Sequence, residues 1–171
     1  NTIVYDLSDQ ELDTIKHYFI SVDKRNRVEL LRKFSNIPDF RSLVFFNSLS
    51  DLGATEERLQ FNGASAVSLA SDINVKFRKV ILEKFKNHEI SLLLGTDLLA
   101  RGIDIENLEV VINFDIPRDR EAYTHRAGRT GRMGNEGSVI SFVTHPENLK
   151  KLKKFAKVSE LVLKNQELHE K

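Results

Sequence analysis

"LLLGTDLLARGIDI", residues 92–105, joins a short, wholly apolar run to a turn rich in glycine, threonine and aspartate. Leu92 to Leu94 show no polar/apolar alternation, the mark of a strand covered on both faces, as in a parallel sheet. The residues that follow have a different chemistry. Gly95 and Gly102 let a backbone come close to a ligand, Thr96 offers a hydroxyl and an amide to a phosphate, and Asp97 and Asp104 accept from hydroxyls or hold cations. A plainer reading stands beside this one: a turn rich in caps, with Asp97 beginning a short helix.

The same unit of strand and polar loop recurs along the chain. Leu43 to Phe46, Ala66 to Leu69, Val110 to Phe114 and Val139 to Val143 are also almost wholly apolar and β-branched or aromatic. Ile15 to Val22 fits a strand or a helix end, and the strand is preferred. Helical stripes lie between them: Val28, Leu31 and Phe34; Phe77, Ile81 and Phe85; and a segment Ser50 to Phe61, with Ser50 as N-cap and Gly63 as its stop. This alternation predicts right-handed βαβ crossovers and a three-layer α/β/α sandwich around a mostly parallel central sheet. In such sheets ligands sit at the carboxyl ends of the strands.

With 171 residues, the expectation is a single domain over 1–171, with 158–171 as a terminal extension. The chain starts at Asn1 and not Met, which reads as a piece of a longer polypeptide. No apolar run is long enough to span a membrane, and no secretory signal opens the chain. With no cysteine, disulfide frameworks and thiolate metal sites are excluded, which fits a cytoplasmic setting. The five histidines are scattered, giving no metal-ligand pattern. A formal charge of +1 means that an anionic partner must be held by a local patch. Lys150 to Lys157 is one basic run, but Leu149, Leu152, Phe155 and Ala156 fall at helical spacing within it, so it reads as a solvated amphipathic helix.

The other basic run carries more. In "DIPRDREAYTHRAGRTGRMGNEG", residues 115–137, Arg126, Arg129 and Arg132 recur every three residues and Gly128, Gly131, Gly134 and Gly137 do the same. A short helix over 120–128 would make Arg126 and Arg129 neighbours on one face, with Arg132 in the turn beyond. Arginine is always charged and grips phosphate oxygens with two parallel hydrogen bonds. The alternative is a brace, in which these arginines pair with Asp97, Asp104, Asp115 or Asp119 and pin loops together. A G-x-x-x-x-G-K-[ST] phosphate loop is absent from this sequence.

Together these stretches resemble the DEAD-box RNA helicases of superfamily 2. "GTDLLARGIDI" is similar to their motif V and "YTHRAGRTGR" to their motif VI; "LVFFNS", residues 43–48, looks like motif IV, and "INFDIP", residues 112–117, like the link between V and VI. The resemblance implies the C-terminal RecA-like domain of an ATP-dependent RNA helicase. An N-terminal RecA-like domain would then carry the phosphate loop and most of the hold on ATP and Mg2+. By position, Arg129 and Arg132 resemble arginine fingers on the γ-phosphate, and Gly102 and Asp104 the residues at the ribose. His125, Arg126 and Asp97 resemble coupling residues between ATP, RNA and the other domain. Asn47, Arg78 and Thr96 resemble contacts to the RNA sugar-phosphate backbone, with little base specificity.

The resemblance further implies a monomeric domain, inactive in isolation. One segment departs from the family. Where His-Gly-Asp and Gln-x-x-Arg are usual, the chain reads "ASDINVKFR", residues 70–78: Ala70, Ser71 and Val75 replace the histidine, glycine and glutamine, while Asp72 and Arg78 remain. Ser48 stands for the usual threonine. Two other readings stay open: a standalone RNA-binding or partner-docking module without ATP turnover, and a DNA helicase or translocase domain of the same superfamily.

Overall fold

The computed structural model describes residues 14–69, 74–105, 107–131 and 136–171. Among these, eight strands form one sheet in the order β3-β4-β2-β5-β6-β1-β7-β8. They are β1 (Lys16–Ser21), β2 (Ser42–Phe46), β3 (Ala66–Ser68), β4 (Leu92–Thr96), β5 (Val110–Asn113), β6 (Ser138–Val143), β7 (Ser159–Lys164) and β8 (Glu167–Glu170). Every pairing is parallel except β7 with β8, so the apolar runs without alternation do mark strands covered on both sides.

Six helices complete the sandwich: α1 (Arg27–Ser35), α2 (Leu49–Phe61), α3 (Val75–Lys86), α4 (Asp97–Ala100), α5 (Arg120–Ala127) and α6 (Pro146–Lys153). In β1 and β6, residues separate by parity. Leu31 and Phe34 of α1, Leu52 and Leu59 of α2, and Ile81 and Phe85 of α3 share a core with Ile20, Ile140 and Phe142. Tyr123 and Ala127 of α5 and Leu152 of α6 pack with Phe19, Val139 and Val143 on the opposite face. Phe85 and Phe34 are fully buried, and truncating either to alanine would cost about 3–5 kcal/mol.

Several boundaries differ from the sequence reading, each for a local reason. The cap of α2 is Ser48, whose Oγ accepts from Asp51 N at 3.0 Å; Ser50 already lies inside the helix. Phe77 does not join the buried stripe: α3 turns only Ile81 and Phe85 inward, leaving Phe77 64% exposed. β4 runs on through Gly95 to Thr96, so the polar loop begins while the backbone is still paired to β2. The stretch 158–171 is a β-hairpin that adds β7 and β8 to the sheet, turning through Asn165 and Gln166 at positive φ. α6 buries Leu152 while Lys151 and Lys153 face solvent, as an amphipathic helix should. Among the described residues no helix is long and apolar enough to cross a membrane.

Candidate functional site

Parallel strands end together, and the chemistry-bearing residues follow them. Phe46 of β2 is in register with Thr96 of β4, so Asn47 and Asp97 leave the sheet side by side. β5 ends at Asn113, and the chain returns as α5, capped by Asp119 Oδ1 accepting from Ala122 N at 2.8 Å. Arg126, near the end of α5, points into the space between these strand ends and is 1% exposed.

All five N–H donors of Arg126 find an acceptor. Nε donates to Asp97 Oδ1 at 2.8 Å and Nη2 to Asp97 Oδ2 at 2.9 Å, the bidentate fork. Nη1 donates to Asn113 Oδ1 at 3.1 Å and to the Asp115 carbonyl at 3.0 Å, and Nη2 also donates to Asn47 Oδ1 at 2.7 Å. The guanidinium stands 5.1 Å from the Phe45 ring centroid. A saturated, buried arginine has no donor left for a ligand. The bracing alternative therefore describes Arg126: it ties β2, β4, β5 and α5 into one unit.

Arg129 sits differently. It is half-buried, and its guanidinium donates to three carbonyls of the loop after α4: Nη1 to Ile103 O at 2.7 Å and Ile105 O at 3.1 Å, Nη2 to Ala100 O at 2.5 Å. Gly102 bends that loop at φ +77°, which a side chain would resist. Beside it opens a cleft of about 570 Å³, walled by Asp97, Gly102, Arg118, His125, Arg126 and Arg129, among others. Its lining sets Arg101, Arg118, Arg126 and Arg129 among Asp97, Asp119 and Glu121. Asp104 is exposed but does not line the cleft. Arg132 and Gly134 lie outside the described residues, as do Ala70, Ser71 and Asp72.

Two glycines of the arginine stretch serve packing and not ligand approach. Gly131 has φ +66°, and a Cβ on Gly137 would stand 2.3 Å from Gly131 N. The two backbones meet where β6 begins, beneath Leu108 and Thr130, whose hydroxyl donates to the Leu108 carbonyl.

The residues expected at nucleic acid meet around α4. Thr96 Oγ1 caps that helix, accepting from Leu99 N at 3.2 Å, and Arg78 Nη2 donates to the Leu99 carbonyl at 2.6 Å. Arg78 Nε is buried with no partner among the described residues. Asn47 has both ends of its amide engaged, Oδ1 by Arg126 and Nδ2 donating to Ile116 O at 2.9 Å. Val75 opens α3 at 83% exposure, with Leu98 at 69% nearby in sequence to this cluster's own Leu99. Among the described residues no group of three or more metal-ligating side chains converges.

Sequence reasoning missed two residues of this unit. Asn113 is fully buried, held by Arg126 and donating from Nδ2 to Ser141 Oγ at 3.0 Å; a polar residue inside the apolar run "VVINF" was its signal. Arg27 is 8% exposed at the start of α1, where its Nη1 donates to Asp115 Oδ1 at 2.8 Å and its guanidinium lies 4.1 Å over Phe114. It left no local sequence signal, because its partner is 88 residues away.

Comparison with known proteins agrees with this geometry. Residues 14–134 match the family described as helicase conserved C-terminal domain. The probable ATP-dependent RNA helicase YfmL of Bacillus subtilis (strain 168) is 41% identical over 123 residues, 72% of this chain and 32% of YfmL. The C-terminal domain of the DEAD-box protein Dbp5 superposes with a TM-score of 0.75 at 25% identity, over 87% of this chain and 91% of that one. S. cerevisiae Dbp5 bound to RNA and ADP BeF3 superposes with a TM-score of 0.76 at 25% identity, over 86% of this chain and 41% of that one. The chain thus spans about a third of the curated relative it matches. It belongs to the helicase conserved C-terminal domain family, as the C-terminal RecA-like domain of a DEAD-box protein of superfamily 2.

Proposed function

We propose that this chain is the second half of an ATP-dependent RNA helicase, whose cleft at Arg118, His125 and Arg129 becomes an ATP site when an N-terminal RecA-like domain closes on it. The observation that carries this reading is the division of labour within one motif: Arg126 is saturated and structural, while Arg129, three residues on, reaches the loop that walls an open cleft.

The cleft wall fits a polyphosphate, since guanidinium forks match phosphate oxygens. It does not fit Mg2+, for which the described residues converge no ligand set, so the metal's ligands are assigned to the other domain. ATP supplies the phosphoryl group that passes to water. Arg129 and Arg132 offset the charge that develops on that group, which requires Arg129 to exchange carbonyl partners for phosphate oxygens on closure. Gly102 lets the loop approach the sugar, with Asp104 accepting from its hydroxyls. His125 faces the cleft from α5 as a contact to the closing domain.

RNA backbone contacts fall to Arg78 and Thr96, which share the Leu99 backbone. Asn47 places its loop and does not reach out, because its amide is already engaged at both ends. Phosphate and 2′-hydroxyl contacts read RNA with little base specificity.

The test is hydrolysis in the full parent protein. Arg129→Ala or Arg132→Ala is expected to lower RNA-stimulated turnover by about 10³-fold or more, the scale of arginine fingers. Unchanged turnover refutes the assignment. A second reading, an RNA-binding module without ATP turnover, draws on exposed Val75 where a polar residue is usual. RNA affinity indifferent to ATP in the parent protein would favour it.

A further inference from the structure

Arg27 belongs to α1, on the sheet face opposite α5, and lies outside every motif stretch. It nevertheless begins a continuous chain of hydrogen bonds along the carboxyl ends of the strands. Arg27 Nη1 donates to Asp115 Oδ1 at 2.8 Å; Asn47 N donates to Asp115 Oδ2 at 2.9 Å; Arg126 donates to Asn47 Oδ1 at 2.7 Å and to both oxygens of Asp97. Both carboxylate oxygens of Asp115 are used, and its side chain is 18% exposed, so its orientation is set by its two donors together. Arg27 is itself held from three sides, by the Lys24 carbonyl at 3.3 Å, the Phe114 carbonyl at 3.1 Å and the Phe114 ring. It is the rigid end of the chain.

We infer that Arg27 is a positioning residue for RNA-stimulated hydrolysis: through Asp115 and Asn47 it holds the loop beside the RNA contacts and the Arg126 unit beside the ATP cleft in one fixed relation. The inference rests on the two-ligand reading proposed above. If Arg27 is lost, Asp115 keeps only the Asn47 amide as donor and is free to rotate about that bond, so the Asn47 loop and its link to Arg126 slacken. Neither ligand surface is removed; what weakens is the bonded path between them. Charge-assisted bonds in a partly dry setting are the kind that can transmit such a constraint.

The experiment measures RNA-stimulated ATP hydrolysis by the full parent protein as RNA and ATP are varied separately, with the urea midpoint recorded for each variant. Arg27→Gln is expected to raise the half-saturating RNA concentration at saturating ATP and the KM for ATP at saturating RNA together, each about fivefold or more, the lower end of site-to-site coupling. Arg27→Lys, which keeps one charge-assisted bond to Asp115, recovers most of the loss. Asp115→Asn reproduces the Arg27→Gln shift, and the double variant adds little to either, because both cut one link. Asp115→Asn keeps the side-chain shape and decides the matter if Arg27→Gln fails to fold.

A fall in the urea midpoint with the half-saturating RNA concentration within about twofold of wild type overturns the inference, leaving Arg27 a brace alone. Wild-type protein whose turnover ignores RNA overturns the proposed function and this inference with it. Normal wild-type stimulation with unaffected variants overturns only the inference.

Discussion

The end of α5 and the start of α3 both carry arginines of helicase motifs, yet they are built in opposite ways. At α5, Arg126 is 1% exposed with every donor paired. At α3, Val75 and Phe77 stand 83% and 64% exposed, and Arg78 makes one bond to a carbonyl while its buried Nε has no described partner. Among the described residues the first region has every arginine donor met, and the second leaves one unmet. A buried polar group left unsatisfied costs about 1–3 kcal/mol unless something meets it. Motif arginines of similar appearance thus differ in how fully the fold engages them.

The contrast breaks first at Arg126. Arg126→Ala should destabilise the domain by about 3–5 kcal/mol, because Asn113, Asn47 and the Asp115 carbonyl lose their donor inside the fold. Asp97, partly exposed, would rehydrate and soften that cost. Urea unfolding of the 171-residue chain checks it, and a loss below about 1 kcal/mol would mean that the network is slack. Next comes Gly137→Ala, where a Cβ would meet Gly131 N at 2.3 Å; backbone cannot yield as a side chain can, and a loss of about 1–3 kcal/mol is expected by the same measurement. Removing the α2 cap with Ser48→Ala should cost about 1 kcal/mol. The smallest effect belongs to α3: Val75→Gln should leave stability within about 0.5 kcal/mol, since the side chain is exposed. The same change should tighten RNA binding by the parent protein in a filter or anisotropy titration. Tighter binding would show that Val75 weakens an RNA contact; unchanged binding would remove α3's first turn from the interface.

The fold was legible because parallel strands are apolar on both sides. The runs at Leu43, Ala66, Leu92, Val110 and Val139 announced themselves without alternation, and the helices between them followed from their stripes. Boundaries shifted where one hydrogen bond decided them, as Ser48 took the cap from Ser50. The terminal hairpin was not legible, since "SELVLKNQELHE" holds few apolar residues and its place depends on the free edge of β1.

At the site, the motif residues were visible and most converge, but their division of labour was not. Nothing in "HRAGRTGR" distinguishes the arginine held by side chains of three strand ends from the one held by loop carbonyls. That depends on Asn113, Asp115 and Arg27, brought in from other strands and from the opposite helical layer. The glycine spacing has a packing reason that is equally non-local: Gly131 and Gly137 are small because they touch each other.

The account stands on the domain being half of a site. The direct measurement is steady-state ATP hydrolysis, with and without RNA, by the purified 171-residue chain and by the full parent protein. The account predicts no turnover above background from the chain alone, even at saturating RNA, and RNA-stimulated turnover from the parent. RNA-stimulated hydrolysis by the chain alone would contradict it.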